Sequence, residues 1–162
     1  MELRQSLLPP ALDDTLVSRL ADLAATLDGS PESACDDMLA QFSQLSGCKI
    51  PYSHFQGISG GEEHETWVRR VLISEYAVPT ENVTRDELVE IARRAMPQNG
   101  FVDHEAYMEI LDCNLPETSN LIFYPADYDS STNTWGDGKM MGEYDPTPEQ
   151  IIDWKLNANS AE

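Results

Sequence analysis

The sequence predicts an all-α protein built from two similar halves in tandem. Along most of the chain, apolar residues recur at the three- and four-residue spacing of amphipathic helices. Residues 84–87 and 147–150 both have the capping-box pattern that begins a helix. Each half has the same order: a helix, a second helix, a short aromatic segment and a last helix. A repeat of about 75 to 80 residues suits a duplicated small domain, and we divide the chain at 1–79 and 80–162.

The first half contains three predicted helices. The first spans about 13–28, the second runs from a serine-proline-glutamate start at 30 to a glycine at 47, and the third spans 62–75. Residues 49–61 have no helical period and predict a loop or a single turn. The side chains expected to be buried are Leu16, Leu20, Leu23 and Leu27, then Cys35, Met38, Leu39, Phe42 and Leu45, and finally Trp67, Val68, Val71 and Leu72.

The second half begins with the capping box at 84–87, and its first helix ends at the Pro97–Gly100 breaker. A second helix is expected over 103–112. The short aromatic run 119–125 follows a proline, and residues 126–146 predict a polar loop. The last helix starts at 147 and is expected to fray from about Asn157. The side chains expected to be buried are Leu88, Ile91, Ala92 and Ala95, then Tyr107, Ile110 and Leu111; the last helix carries Ile151, Ile152 and Trp154.

The chain is strongly acidic, with 29 acidic and 10 basic residues and a formal charge of -19. Such a charge repels nucleic acid and anionic membranes, so direct binding to either is not expected. It would instead accelerate encounter with a basic partner, at a rate that falls as salt rises. Residues 1–79 carry a net charge of -7 and residues 80–162 one of -12, so the second half contributes more of the charge. A solvated acidic surface without any charged partner is the plainer alternative.

The three cysteines, Cys35, Cys48 and Cys113, are odd in number and widely spaced. This pattern favours free thiols in a reducing cytoplasm. The first residues lack the apolar core of a signal peptide, and no segment has the apolar length of a membrane span. The sequence therefore predicts a cytoplasmic protein.

Several segments resemble the DNase immunity proteins of colicins and pyocins (S-type bacteriocins). Residues 84–88 are similar to that family's entry into its first helix. Residues 119–125 resemble its third-helix signature, serine-aspartate-leucine-isoleucine-tyrosine-tyrosine-proline, while Pro148-Glu149 with Trp154-Lys155 resembles its fourth helix. The opening residues 1–7 are also similar to the family's N terminus. The resemblance implies two tandem four-helix domains, each with a short third helix.

The chain departs from the family at identifiable places. Asn120 stands where the family has aspartate, and Phe123 replaces the first tyrosine. The loop 126–146 is longer than the family's. In the first half, the counterpart of the third helix, residues 51–55, is degenerate. The resemblance therefore implies that the second half binds the partner and that the first half is an accessory or stabilising domain.

The resemblance implies an inhibitor, not an enzyme, that requires no cofactor or metal and is otherwise monomeric. Its partner would be a cognate bacteriocin nuclease domain, basic and of the HNH DNase type, blocked at an exosite beside the active site. In the family, third-helix aromatics supply affinity common to all partners, while the exposed face of the second helix selects one toxin. Carried over to this chain, the anchors are Asn120, Phe123 and Tyr124, and the specificity residues are His104, Glu105, Met108, Glu109 and Asp112. The corresponding face of the first half comprises Glu32, Asp36, Asp37, Ala40 and Ser43.

The same residues allow other interpretations. Phe123 and Tyr124 could be ordinary core residues, and the acids of residues 103–112 could be a merely solvated face. Residues 127–133 begin like a calcium loop, but Thr132 stands where that loop has glycine and Gly138 where it has glutamate. The set Cys35, Cys48, His54 and His64 matches no known zinc spacing. An acidic helical antitoxin or adaptor for another basic protein is the alternative function.

Overall fold

A computed structural model describes residues 1–161, which form two compact units. The first unit is Pro10–Tyr76; the second combines Met1–Pro9 with the chain from Ala77 onward. The predicted boundary at residue 79 instead places these nine N-terminal residues in the first half. The described chain is mostly helical, as predicted, and none of its helices has both the length and the apolar character required to cross a membrane.

The first unit contains three α-helices: α1 (Asp14–Leu27), α2 (Asp36–Ser46) and α3 (His64–Tyr76). Helix α1 packs against both α2 and α3. The Asp13 carboxylate begins α1 by accepting a hydrogen bond from the Leu16 amide at 2.8 Å. The predicted second helix is divided, because a 3₁₀ turn at Glu32–Ala34 precedes α2.

Two short 3₁₀ turns, Tyr52–Phe55 and Ile58–Gly60, connect α2 to α3. The Phe55 ring is fully buried and packs edge-on against Phe42, with ring centroids 4.9 Å apart. The same ring lies 5.0 Å from that of Trp67. The aromatic side chain of this connection is therefore part of the core of the first unit.

Asp28, directly after α1, holds the connection in place. Its carboxylate accepts hydrogen bonds from the amides of Gly57 and Ser59, both at 2.9 Å, and lies 2.9 Å from Nε2 of His64. The Ser59 amide and the His64 side chain, followed by the Gly57 amide, lower the pKa of Asp28 to about 2. One carboxylate thus joins the end of α1 to the start of α3.

The second unit contains four α-helices: α4 (Arg85–Ala95), α5 (His104–Asn114), α6 (Asn120–Phe123) and α7 (Pro148–Ser160). Helix α4 packs against both α5 and α7. The capping boxes at Thr84 and Thr147 are confirmed. Helix α7 continues to Ser160 and does not fray at Asn157. The core includes Leu88, Ile91, Ile110, Leu111, Ile122, Ile151 and Ile152.

The N-terminal segment packs into the core of the second unit. Leu3 and Leu7 are buried among the residues of α4, α5 and α7. Between them, the Arg4 guanidinium donates two hydrogen bonds to the Glu87 carboxylate, at 2.6 and 3.0 Å. Arg4, together with the Thr84 amide, lowers the pKa of Glu87 to about 2. These contacts join residues more than 80 positions apart, a separation that local sequence patterns do not encode.

The segment 126–146, predicted to be a polar loop, contains a small antiparallel hairpin. Its strands are β1 (Thr134–Trp135) and β2 (Lys139–Met140), with Trp135 paired to Lys139. The turn between them uses glycines with positive φ at 136 and 138, a conformation that only glycine adopts readily. The all-α prediction broadly fits the described chain, and this short hairpin departs from it because two-residue strands formed by turn chemistry leave no alternating pattern.

Candidate functional site

The short helix α6 is held in one orientation by the end of α5. The Asp112 carboxylate accepts hydrogen bonds from the Ser119 amide, at 2.8 Å, and from the Ser119 hydroxyl. Ile122 is 6 % exposed and packs into the core of the second unit. Because α6 is only about one turn long, burying Ile122 leaves the following residues facing outward.

All three predicted anchor residues lie at the surface. Asn120 is exposed, Phe123 is 45 % exposed and Tyr124 is 53 % exposed. Neither ring is therefore an ordinary core residue, because Ile122 supplies the core contact of α6. Two large aromatic side chains on one exposed turn are an unusual surface for a protein without a partner.

The predicted specificity residues of α5 divide into two groups. Glu105 is exposed, while His104 and Glu109 are half-buried. Met108 packs against the core of the second unit, and Asp112 positions Ser119, so these two have structural contacts of their own. The predicted buried side of the helix, which includes Tyr107, Ile110 and Leu111, is confirmed.

Charge is unevenly distributed over the second unit. Its arginines Arg4, Arg85, Arg93 and Arg94 form ion pairs with carboxylates of α4 and α7, namely Asp86, Glu87, Glu90, Glu149 and Asp153. Residues 101–147, in contrast, contain ten acidic residues and one lysine. Within the described chain, none of those ten acids takes part in an ion pair. The surface formed by α5, α6 and the hairpin segment therefore keeps its negative charge available.

An open groove of about 600 Å³ lies beside α6. We call it the aromatic groove, because the rings of Tyr124, Trp135 and Trp154 line it. Glu117, Asp127 and Lys155 are the charged residues of its lining. The groove thus brings together α6, the hairpin and α7 within the second unit.

The hairpin is fixed to the helices by side-chain contacts. The Tyr144 hydroxyl donates a hydrogen bond to the Leu121 carbonyl of α6, and the Gly136 amide donates to Asp127 at 2.8 Å. Burial raises the pKa of Tyr144 to about 12, so its hydroxyl keeps the donated proton over the physiological pH range. The Trp135 ring lies edge-on to Tyr144, with centroids 5.3 Å apart. The groove wall formed by Trp135 therefore has a defined position.

Trp135 and Trp154 are not among the site residues that the sequence predicts. Trp154 was grouped with Ile151 and Ile152, which are fully buried, whereas Trp154 is 42 % exposed. The available signal for Trp135 was a tryptophan followed by two turn glycines in an otherwise polar segment. Its proximity to α7 depends on tertiary packing and has no local signature.

The site is suited to binding a macromolecule by contact and charge. Among the described residues, no group of three or more His, Cys, Asp or Glu side chains is placed to hold a metal ion. The candidate zinc residues are used elsewhere: Cys35 and Cys48 are buried, and His64 contacts Asp28. Exposed rings beside free carboxylates are the chemistry of a protein interface, where aromatic anchors supply affinity and charge supplies selectivity.

Compared with protein-family models, curated proteins and solved structures, the chain matches none of them. The functional assignment therefore depends on the exposed rings of α6, the aromatic groove and the distribution of charge.

Proposed function

We propose that this protein is a bacteriocin immunity protein. It binds the cytotoxic nuclease domain of a cognate colicin- or pyocin-type toxin and inhibits it. The observation that carries the proposal is the outward placement of Phe123 and Tyr124 at the end of α6, beside a surface whose ten acids, among the described residues, form no ion pair. This combination supports a binding surface for a basic protein.

The proposal includes a tandem arrangement of two immunity-like four-helix domains. The first unit has two helices, a short turn at Tyr52–Phe55 and a last helix; the second has two helices, the short helix α6 and a last helix. In the first unit the short element is degenerate, because its Phe55 ring is buried and offers no exposed anchor. We therefore assign toxin binding to the second unit and an accessory or stabilising role to the first.

Inhibition would follow from position and charge. Phe123 and Tyr124 are large and rigid, so docking them costs little side-chain entropy, and such residues often contribute about 2 kcal/mol or more to an interface. Glu105 and Glu109 of α5 would meet lysines and arginines of the toxin and discriminate between toxins. An inhibitor seated beside the nuclease active site, at an exosite, would exclude DNA by its bulk and by its own negative charge.

The proposed partner is a basic HNH-type DNase domain, and the proposed compartment is the cytoplasm, where such a toxin would meet its inhibitor. Cys35, Cys48 and Cys113 are all unpaired thiols. This state agrees with a reducing environment. Burial raises the pKa of the thiols of Cys48 and Cys113, which further lowers their reactivity near neutral pH.

The decisive experiment is calorimetric titration of the full chain against a panel of purified, catalytically inactive HNH-type colicin and pyocin DNase domains. We expect one domain to bind with Kd well below about 1 µM at moderate salt. Tyr124→Ala should weaken that binding roughly 30-fold or more, because it removes a proposed anchor. Val78→Ala, which shortens another exposed apolar side chain of the second unit, is the matched control and should change nothing.

The opposite result is equally clear. Suppose that no domain binds more tightly than about 1 µM and that Tyr124→Ala changes no affinity that is found. The immunity proposal would then be wrong, and an acidic antitoxin or adaptor for another basic protein would replace it.

A further inference from the structure

The aromatic groove combines several rings with charged residues, a combination that exposed rings on α6 alone would not provide. We propose that it receives an arginine side chain from the protein partner, an inference that rests on the proposed function for the identity of that partner. The guanidinium would stack on the rings of Trp135, Trp154 and Tyr124 and donate hydrogen bonds to Glu117 and Asp127. The groove would thereby form a second contact point beside the third-helix anchors.

The rings provide the first argument. The π-face of tryptophan attracts cations more strongly than that of any other side chain, and arginine stacks on it most often. The molecule already contains one such contact, since Nζ of Lys139 lies 4.6 Å from the ring centroid of Trp135. This contact shows that the Trp135 ring attracts a cation, and Lys139 itself is not among the residues that line the groove.

The charges provide the second argument. Two carboxylates, Glu117 and Asp127, line the groove against one ammonium group, that of Lys155. Glu117 has φ of 63°, in the left-handed region that non-glycine residues seldom adopt. The lining residues carry a formal charge of -1, and residues 101–147 around them contain ten acids and one lysine, so this surface favours a cationic occupant over an anionic one.

The geometry favours arginine over lysine. A guanidinium is planar, so it can lie flat on a ring and still direct donors from its edge to carboxylates on both sides. An ammonium group is compact and more strongly hydrated, and it cannot do both. An open groove of about 600 Å³ is large enough for the side chain and the flanking backbone of a partner segment.

A test that needs no toxin uses the blocked tripeptide acetyl-Gly-Arg-Gly-amide, with its glutamine counterpart as the uncharged control. Binding is followed by NMR on the indole N–H signals of the full-length protein. We expect the arginine peptide to shift the signals of Trp135 and Trp154 at millimolar concentrations, and the glutamine peptide to bind about tenfold more weakly. Trp67, which is 5 % exposed in the first unit, is an internal control that should not respond. Equal binding of both peptides, or an equal response of Trp67, would overturn the proposal.

Variants identify the contributing groups. Trp154→Ala should weaken the arginine peptide about tenfold, and Glu117→Gln about threefold at low salt, with the latter effect disappearing at high salt. Met140→Ala removes a side chain that is 55 % exposed on the same hairpin but does not line the groove, so it should have no effect. Amide NMR spectra of each variant establish that it is folded. Unchanged affinity in folded Trp154→Ala would contradict the proposal.

Measurements of binding to a DNase domain distinguish a failure of the groove inference from a failure of the immunity proposal. If a domain binds and Trp154→Ala weakens it about tenfold, both proposals are supported. If a domain binds and Trp154→Ala has no effect, the groove inference fails while the immunity function stands. If no domain binds but the arginine peptide still does, the immunity function fails and the groove remains an arginine site for a different basic partner.

Discussion

The two units use the aromatic residues of their short connecting elements in opposite ways. In the first unit, Phe55 is 0 % exposed and packs between Phe42 and Trp67. In the second unit, α6 buries Ile122 and leaves Phe123 and Tyr124 largely exposed. A ring that is buried on folding stabilises its own domain. A ring left at the surface can instead be buried against a partner, and its transfer free energy then favours binding. The same element position can therefore serve the core or an interface.

The largest expected effect is on the aromatic core of the first unit. Phe55→Ala should destabilise that unit by about 3–5 kcal/mol, because it leaves a cavity beside Phe42 and Trp67. Phe123→Ala, the matched truncation on α6, should cost about 1 kcal/mol or less, since the ring is already half in water. Native-state amide hydrogen exchange, measured separately on α1 and α4, reports the stability of each unit. Equal costs for the two truncations would contradict the contrast between the elements.

The next effect tests whether the N terminus belongs to the second unit. Leu7 is fully buried there, so Leu7→Ala should cost that unit about 2–5 kcal/mol and lower the protection of α4 amides. Gln5→Ala, which changes an exposed side chain of the same segment, should be close to neutral. If α1 amides lost protection while α4 amides kept it, the assignment of residues 1–9 would be wrong. A fragment restricted to 80–162 would lack Leu7 and is unsuitable for binding tests.

Features encoded within a few residues were predictable. The helix starts at Thr84 and Thr147 follow from capping boxes, and the short helix α6 lies inside the predicted run 119–125. The inward placement of Phe42 and Trp67 follows from helical periodicity.

Features that depend on distant contacts were not predictable. The Arg4–Glu87 ion pair joins the N-terminal segment to the middle of the chain, and the aromatic groove forms only when the hairpin packs beside α6 and α7. Trp154 illustrates the limit, because a helical stripe identifies an apolar side chain without deciding whether it is covered. The resemblance identifies the residues proposed as anchors, Asn120, Phe123 and Tyr124, but it does not identify the tryptophans of the aromatic groove.

The smallest expected effect concerns pH and compares two hydrogen-bonded carboxylates, Asp28 in the first unit and Glu87 in the second. The pKa of each carboxylate is lowered to about 2 in the folded protein, so each contributes stability that is fully present above its unfolded pKa and lost as pH falls through about 2. Asp28→Asn should therefore lower the free energy of unfolding of the first unit at pH 7 by about 1–2 kcal/mol. It should also flatten that unit's decline between about pH 5 and pH 2. The second unit, which keeps Glu87 and Arg4, should retain its own decline, and hydrogen exchange at several pH values would distinguish them. If Asp28→Asn left the acid response of α1 unchanged, the Asp28 carboxylate would not be what ties the connection to α1. The buried Phe55 ring and the hydrogen bonds that Gln56 makes with Leu27 and Gly29 would then hold it.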